Sequence, residues 1–327
     1  MLVPVMLAGC GKVSPNVSAD GGLTADQACT ALAQAECDKR DSCSKGTNII
    51  HAFGEKGVCL NRLKLQCTGA LTAPGTGNSP ANASACAAAF ATLSCNDFFD
   101  SKLPAPCMPT GSLADGQPCV FNGQCTSGFC GGIRNALCGA CAPAPQPGDS
   151  CASSACGHGQ TCVNTTMTCQ NLGLLNSPCG PGAPCGNGMS CVNGSTAGGA
   201  GPTCELAIGQ VGAACGGATM PTCDGTLGLT CNGTAGARTC LANMYVGDGA
   251  ACGTAEIGIA VQCQAGSCYT ASGAAGPSDM GICKADAADG GNCDTLLGPD
   301  CVRPARCVVT GSGTSGVCTL PTGASCG

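Results

Sequence analysis

With 35 cysteines in 327 residues, no Trp, six Phe and two Tyr, the chain lacks the large apolar side chains that one conventional core of this length needs. Its net charge is −6 and only 10% of residues are charged; with no basic stripe or aromatic platform, this argues against a nucleic-acid partner. Small modules stapled by disulfides are the physical alternative, since a bridge closing a loop of about 15 residues contributes roughly 3 kcal/mol. Zinc sites favour paired C-x2-C knuckles with His support. Here the one C-x2-C is Cys138-Gly-Ala-Cys141, and the two His, His51 and His158, stand alone. An oxidising compartment is the stronger inference.

Residues 1–10, MLVPVMLAGC, join a short apolar run to Leu-Ala-Gly-Cys. This ending resembles the lipobox of bacterial lipoproteins, which implies cleavage before Cys10 and a lipid on its thiol. An ordinary hydrophobic start with a stray cysteine is the other reading, and a true start upstream of Met1 would explain why the run is short. A lipidated Cys10 leaves an even number of cysteines to pair. Residues 11–23 are polar and without periodicity, as a flexible tether would be. No apolar stretch is long enough for a transmembrane helix.

Residues 24–110 read as a helical cysteine-rich module. Thr24-Ala-Asp-Gln27 is a capping box, after which Cys29, Leu32, Ala33 and Cys37 share one helical face and Lys39 and Arg40 suit the last turn. In VCLNRLKLQC, residues Cys59, Leu60, Leu63 and Cys67 share a face. A third helix, SACAAAFATLSC, should end before Cys95, because Cys86 and Cys95 would otherwise point to opposite sides. The stretch TGALTAPGTGNSPANAS between them reads as a long loop. The eight cysteines Cys29, Cys37, Cys43, Cys59, Cys67, Cys86, Cys95 and Cys107 allow four bridges inside the module.

From residue 111 to 327, Gly-x-x-Cys recurs at Cys119, Cys151, Cys215, Cys252, Cys293 and Cys326, with Asn176 in the Gly place before Cys179. A second Gly precedes the third cysteine of three units, at Gly159, Gly188 and Gly228, and suggests a turn that other residues resist. CVVTGSGTSGVC, Cys307 to Cys318, reads as a short hairpin closed by cysteines. The expected fold class is therefore small and disulfide-rich: a disulfide-linked α-helical module, then an elongated array of short, Cys-stapled β-hairpin repeats.

Counting cysteines from Gly-x-x-Cys leaves five in the first unit and Cys326 alone. A shifted frame leaves no remainder. It places Cys119, Cys125, Cys130, Cys138, Cys141 and Cys151 in one block. Four cysteines then fall in each of five units: Cys156, Cys162, Cys169 and Cys179; Cys185, Cys191, Cys204 and Cys215; Cys223, Cys231, Cys240 and Cys252; Cys263, Cys268, Cys283 and Cys293; Cys301, Cys307, Cys318 and Cys326. This frame predicts that Cys326 pairs within the last unit, while connectivity inside each unit stays open.

The run C-x5-CTSGFC, then C-x2-C and a further Gly-x-x-Cys, covers Leu113 to Cys169 and resembles the cysteine-rich, colipase-like domains of Dickkopf proteins. It is carried by Cys119, Cys125, Gly128, Cys130, Cys138, Cys151, Cys162 and Cys169, within a 111–170 region; residues 171–327 repeat it more loosely. The adjacent Cys-Cys pair and the basic, aromatic receptor-facing loops of Dickkopf are missing, so Wnt-receptor antagonism is not carried over. The combination with a lipobox and a helical module resembles the cysteine-rich surface lipoproteins of myxobacteria.

The remaining motifs lack their contexts. GSGTSG at Gly311–Gly316 fits a dinucleotide fingerprint without its strand and helix, and Cys138-x2-Cys141 lacks a thioredoxin-like surrounding. DAADGGNCD, with Asp286, Asp289 and Asp294, carries oxygens for calcium without EF-hand spacing. Sequons at Asn16, Asn82, Asn164, Asn193 and Asn232 would matter only in a eukaryotic secreted protein. With no catalytic, cofactor or metal constellation, the expectation is a non-enzymatic surface protein, lipid-anchored in the cell envelope or outer membrane, acting as a stalk or a protein- or glycan-binding array. The alternative is a secreted ligand or protease inhibitor that presents a disulfide-closed loop.

Overall fold

The computed structural model describes residues 22–132, 136–152, 155–193, 201–217, 219–234, 236–254, 260–274 and 279–326. Cys10, Asn16 and most of the tether lie outside them. Five helices form a hub: α1 (Ala25–Ser44), α2 (Thr47–Phe53), α3 (Lys56–Leu71), α4 (Pro80–Phe90) and α5 (Cys95–Phe99). The capping box starts α1 as expected, with Thr24 Oγ1 accepting from the Gln27 amide and Gln27 Oε1 from the Thr24 amide. The helix runs on to Ser44, so Lys39 and Arg40 lie inside it rather than in its last turn, and Arg40 pairs with Glu36 one turn back at 2.7 Å. The third helix does stop before Cys95. The expected long loop shrinks to residues 72–79, because α3 continues to Leu71 and Ser79 caps α4 with Pro80 at its first position.

The hub has little apolar mass and uses sulfur as part of its core. Cys29–Cys67 and Cys37–Cys59 tie α1 to α3, Cys43–Cys95 ties α1 to α5, and Cys86–Cys107 holds α4 to the short turn that follows α5. Ala33, Ile49, Phe53 and Leu63 pack around one of these bridges, and Phe90 and Phe98 meet edge to face at 5.6 Å around another.

Six hairpin units follow, and each obeys one pairing rule once Cys138 of the first is set aside: the first cysteine bonds the third and the second bonds the fourth. The pairs are Cys119–Cys130 and Cys125–Cys141; Cys151–Cys162 and Cys156–Cys169; Cys179–Cys191 and Cys185–Cys204; Cys215–Cys231 and Cys223–Cys240; Cys252–Cys268 and Cys263–Cys283; Cys293–Cys307 and Cys301–Cys318. The third and fourth cysteines stand opposite one another in the antiparallel register of every unit. The hairpins are therefore not closed by their own two cysteines. Each strand is stapled instead to the segment that precedes it.

The Gly-x-x-Cys signal has a single structural cause. Gly116, Gly148, Asn176, Gly212, Gly249 and Gly290 all have φ between 64° and 98°. Each donates its amide, at 2.8 Å, to the carbonyl of its unit's fourth cysteine. A β-carbon would meet nothing within 4 Å at any of these five glycines. The requirement is a left-handed backbone rather than space, which is why asparagine serves at Asn176.

This frame corrects two expectations. Units do begin at Gly-x-x-Cys, so the shifted frame does not describe the pairing. The two cysteines left over by the direct count bond each other: Cys138 to Cys326, 188 positions apart. Cys326 thus pairs with the first unit and not the last. The fold class stands as expected, but the array does not run outward in a line. It curves as a collar around the hub, with the sixth unit clasped to the first.

Candidate functional site

All six units touch the hub through hydrogen bonds. Gly77 donates to Gly123 O of the first unit at 2.8 Å, and Gly159 of the second donates to Asp100 O at 3.2 Å. Asn187 of the third unit holds the Asp100 carboxylate. Thr47 Oγ1 lies 3.3 Å from Thr226 O of the fourth, and Ala265 of the fifth donates to Ile50 O. Arg62 bonds Asp289 twice and the carbonyls of Val302 and Arg303, all in or next to the sixth.

The second glycine of the repeat marks where units dock. Gly159, Gly188 and Gly228 have φ near 70°. Their faces are turned to Lys102, Asn96 and Thr47 of the hub, at 3.2, 3.2 and 2.8 Å from where a β-carbon would lie. In the fifth unit Ala265 takes this place, with φ 48°.

Where the second, third and fourth units meet the hub they leave a cleft of about 650 Å³. Thr47, Asn48 and His51 of α2 line one side, Asp100 and Ser101 after α5 another, and Gln160, Asn187 and Tyr245 the rest. Asp100, only 2% exposed, accepts from the Asn187 amide at 2.7 Å and Nδ2 at 2.9 Å and from Lys102 Nζ at 2.8 Å. That carboxylate is fully engaged and works as a clamp. His51 Nδ1 stands 3.0 Å from Cys263 O, its ring 6.5 Å from that of Tyr245. Burial raises the Tyr245 hydroxyl pKa, against the lowering effect of its bonds to Thr47 and Asn243. The cleft is thus walled by amides, hydroxyls and rings, with its one carboxylate already neutralised by a lysine.

The other residues singled out by sequence are dispersed. His158 Nδ1 lies 3.2 Å from Ser101 O at the hub's edge. Asp289 pairs with Arg62, while Asp294 accepts from the Leu296 and Leu297 amides and the Thr314 and Ser315 hydroxyls. Those bonds hold the Asp294 carboxyl well below its usual range, and burial followed by the Asp300 charge raises that of Asp286. The three acids thus keep separate company. Cys138 and Cys141 belong to different disulfides. GSGTSG spans the turn of an antiparallel hairpin. Asn82 lies in the first turn of α4, its Nδ2 donating to Gly77 O. Three sulfurs converge within 4.8 Å in units such as Cys119, Cys125 and Cys141, but all three are in disulfides and none is a thiolate.

Sequence reasoning missed Asp100, Asn187 and Tyr245, which nothing in the local pattern sets apart. The second-glycine positions were the available signal, since each turned out to be a contact with the hub. Among the described residues no helix is long and apolar enough to cross a membrane. The chain matches no protein-family model, no curated protein and no solved structure. What it can be placed in is a class: a cysteine-rich, disulfide-dense repeat protein of an extracellular or secreted kind.

Proposed function

We propose that this is a non-enzymatic, lipid-anchored cell-surface protein whose collar presents a binding site for a neutral glycan. The observation that carries the reading is the cleft of about 650 Å³ between hub and units, held open by disulfide-stapled walls. Its volume suits a short oligosaccharide. Its wall of amides and hydroxyls, with the Tyr245 and Phe99 rings beside them, offers hydrogen bonds and stacking without a net charge to attract an ion. The likeness of Leu-Ala-Gly-Cys to a lipobox supports the anchor at Cys10, and residues 11–23 would then be the tether. The Dickkopf-like spacing of Leu113–Cys169 supports a binding rather than a catalytic role.

The test has two arms. Oxidised protein beginning at residue 22 is applied to an array of neutral and charged glycans. Saturable binding to a neutral glycan that falls at least about 10-fold in Gln160→Ala and Tyr245→Phe is expected; binding to none, or to acidic glycans alone, overturns the glycan reading. Metabolic labelling with a fatty acid should mark the wild type and not Cys10→Ala, and an unlabelled wild type removes the anchor.

A secreted ligand or inhibitor is the second reading. It is favoured by Leu174 and Leu175, which stand 62% and 47% exposed on the loop leading into the third unit. A pull-down with the intact protein in which Leu174→Ser abolishes capture of a protease or receptor would establish it.

A further inference from the structure

A second cavity, of about 390 Å³, lies on another side of the hub, lined by α1, α3 and α4, the turn at Pro106, the first and sixth units and His158 of the second. Its walls differ from those of the polar cleft: Leu63, Leu71, Phe90 and Phe121 give it an aliphatic and aromatic side, with Gln66, Asn78, Asn122 and His158 as polar groups at its margin. Its one permanent cation is Arg306 of the sixth unit.

Arg306 is held only by carbonyls. Its two terminal nitrogens donate to Leu137 O at 2.6 Å and Val120 O at 2.7 Å. Among the described residues no carboxylate comes within ion-pair distance of it, and three of its five N–H groups have no protein acceptor. Glu36, the acid on the cavity wall, is committed to Arg40 at 2.7 Å. A guanidinium that is partly desolvated and faces an apolar space without a counter-ion lacks an anion, and a carboxylate matches its planar fork. Burial also pushes its pKa below the ordinary value, in keeping with a charge that water solvates poorly.

We propose that this cavity binds a free fatty acid, with the carboxylate on Arg306 and the aliphatic chain along Leu63, Leu71 and Phe121. The cavity shares no wall with Asn187 or Tyr245, so this site stands or falls apart from the glycan reading.

The probe is dodecanoate, titrated calorimetrically into the oxidised, full collar-and-hub protein below the micelle concentration, beside dodecan-1-ol as the uncharged analogue. Saturable 1:1 uptake of dodecanoate is expected, at least about 10-fold tighter than the alcohol. Arg306→Gln should abolish that preference while leaving the alcohol's affinity within about twofold. Because Arg306 also joins the first and sixth units, Ala70→Phe serves as a second variant. It fills the cavity from α3, leaves every bond of Arg306 in place, and should prevent uptake of both probes with the circular dichroism unchanged. No saturable dodecanoate binding, equal affinity for acid and alcohol, or undiminished binding in Ala70→Phe would each overturn the proposal.

Discussion

Cys138 and Cys326 lie 188 positions apart in the chain and are bonded to each other, with Cα atoms 5.6 Å apart. Every other bridge closes within the hub or within one hairpin unit. Among the disulfides this one alone joins two units, and it converts a string of six into a closed collar. Arg306 reinforces the same seam from the sixth unit by bonding Val120 O and Leu137 O of the first.

Replacing both cysteines by serine should therefore open the collar while leaving each unit stapled. A loop of this length corresponds to about 5 kcal/mol in the chain-entropy model, and the other bridges, which already shorten the unfolded path, bring the expectation to about 3–4 kcal/mol. Hydrogen exchange should accelerate at residues 292–319 and 118–141 and stay slow in α1 and α3. Equal protection in wild type and variant would mean that the hub contacts alone hold the ends together.

The two kinds of glycine in the repeat make a second prediction, because they share a backbone conformation and differ in surroundings. At Gly212, φ is 81° and a β-carbon would meet nothing within 4 Å; at Gly228, φ is 66° and it would meet Thr47 Cγ2 and Tyr245 Oη, each at 2.8 Å. Gly212→Ala should cost only the left-handed penalty, about 1 kcal/mol. Gly228→Ala should cost about 2–4 kcal/mol by adding a clash that separates the fourth unit from α2. Denaturant melts of the two variants check the difference, and similar losses would contradict the docking role of the second glycine.

That contrast shows how far the residues alone could be read. The capping box at Thr24, the shared face of Cys59, Leu63 and Cys67, and the hairpins all follow from local periodicity, and they were legible. Pairing was not, because four cysteines at these spacings allow three connectivities and spacing does not choose among them. Parity misled for a physical reason. The count from Gly-x-x-Cys left one extra cysteine in the first unit and one at Cys326, and a bond between the ends of the array is invisible to any argument made unit by unit. The cleft was hidden for the same reason, since Asn48, Asn187 and Tyr245 come together only once the array wraps back on the hub.

Asp100 is the strongest single test of that wrapping. It is buried, and it receives two bonds from Asn187 and one from Lys102. Asp100→Ala would leave the Lys102 ammonium and the Asn187 amides without their acceptor, at a cost of about 3–4 kcal/mol. Asp100→Asn keeps one acceptor oxygen and should recover part of the loss. Melts of both variants with the third unit's exchange rates are the measurement; no change in that unit would show that the clamp is dispensable.

The seam between α3 and the sixth unit should depend on pH, with a sign fixed by Asp289. Its bonds from Arg62, at 2.7 and 2.8 Å, hold the carboxyl below its usual range against a smaller opposing effect of burial. A carboxyl whose pKa is lowered by folding contributes stability that is complete above the unfolded value, about 4, and is lost as pH falls through the folded one. Asp289 is 37% exposed and Arg62 12%, so solvent screens the pair and its effect on melting should be small, a few degrees at most. Asp289→Asn should therefore melt slightly below wild type at pH 7 and converge with it as the pH falls through the lowered folded value. Arg62→Ala should behave differently, because Arg62 also donates to Val302 O and Arg303 O. Those two bonds do not titrate, so the deficit of Arg62→Ala should persist in acid. If both variants converged on wild type at low pH, the carbonyl contacts would carry no weight and the seam would be held by charge alone.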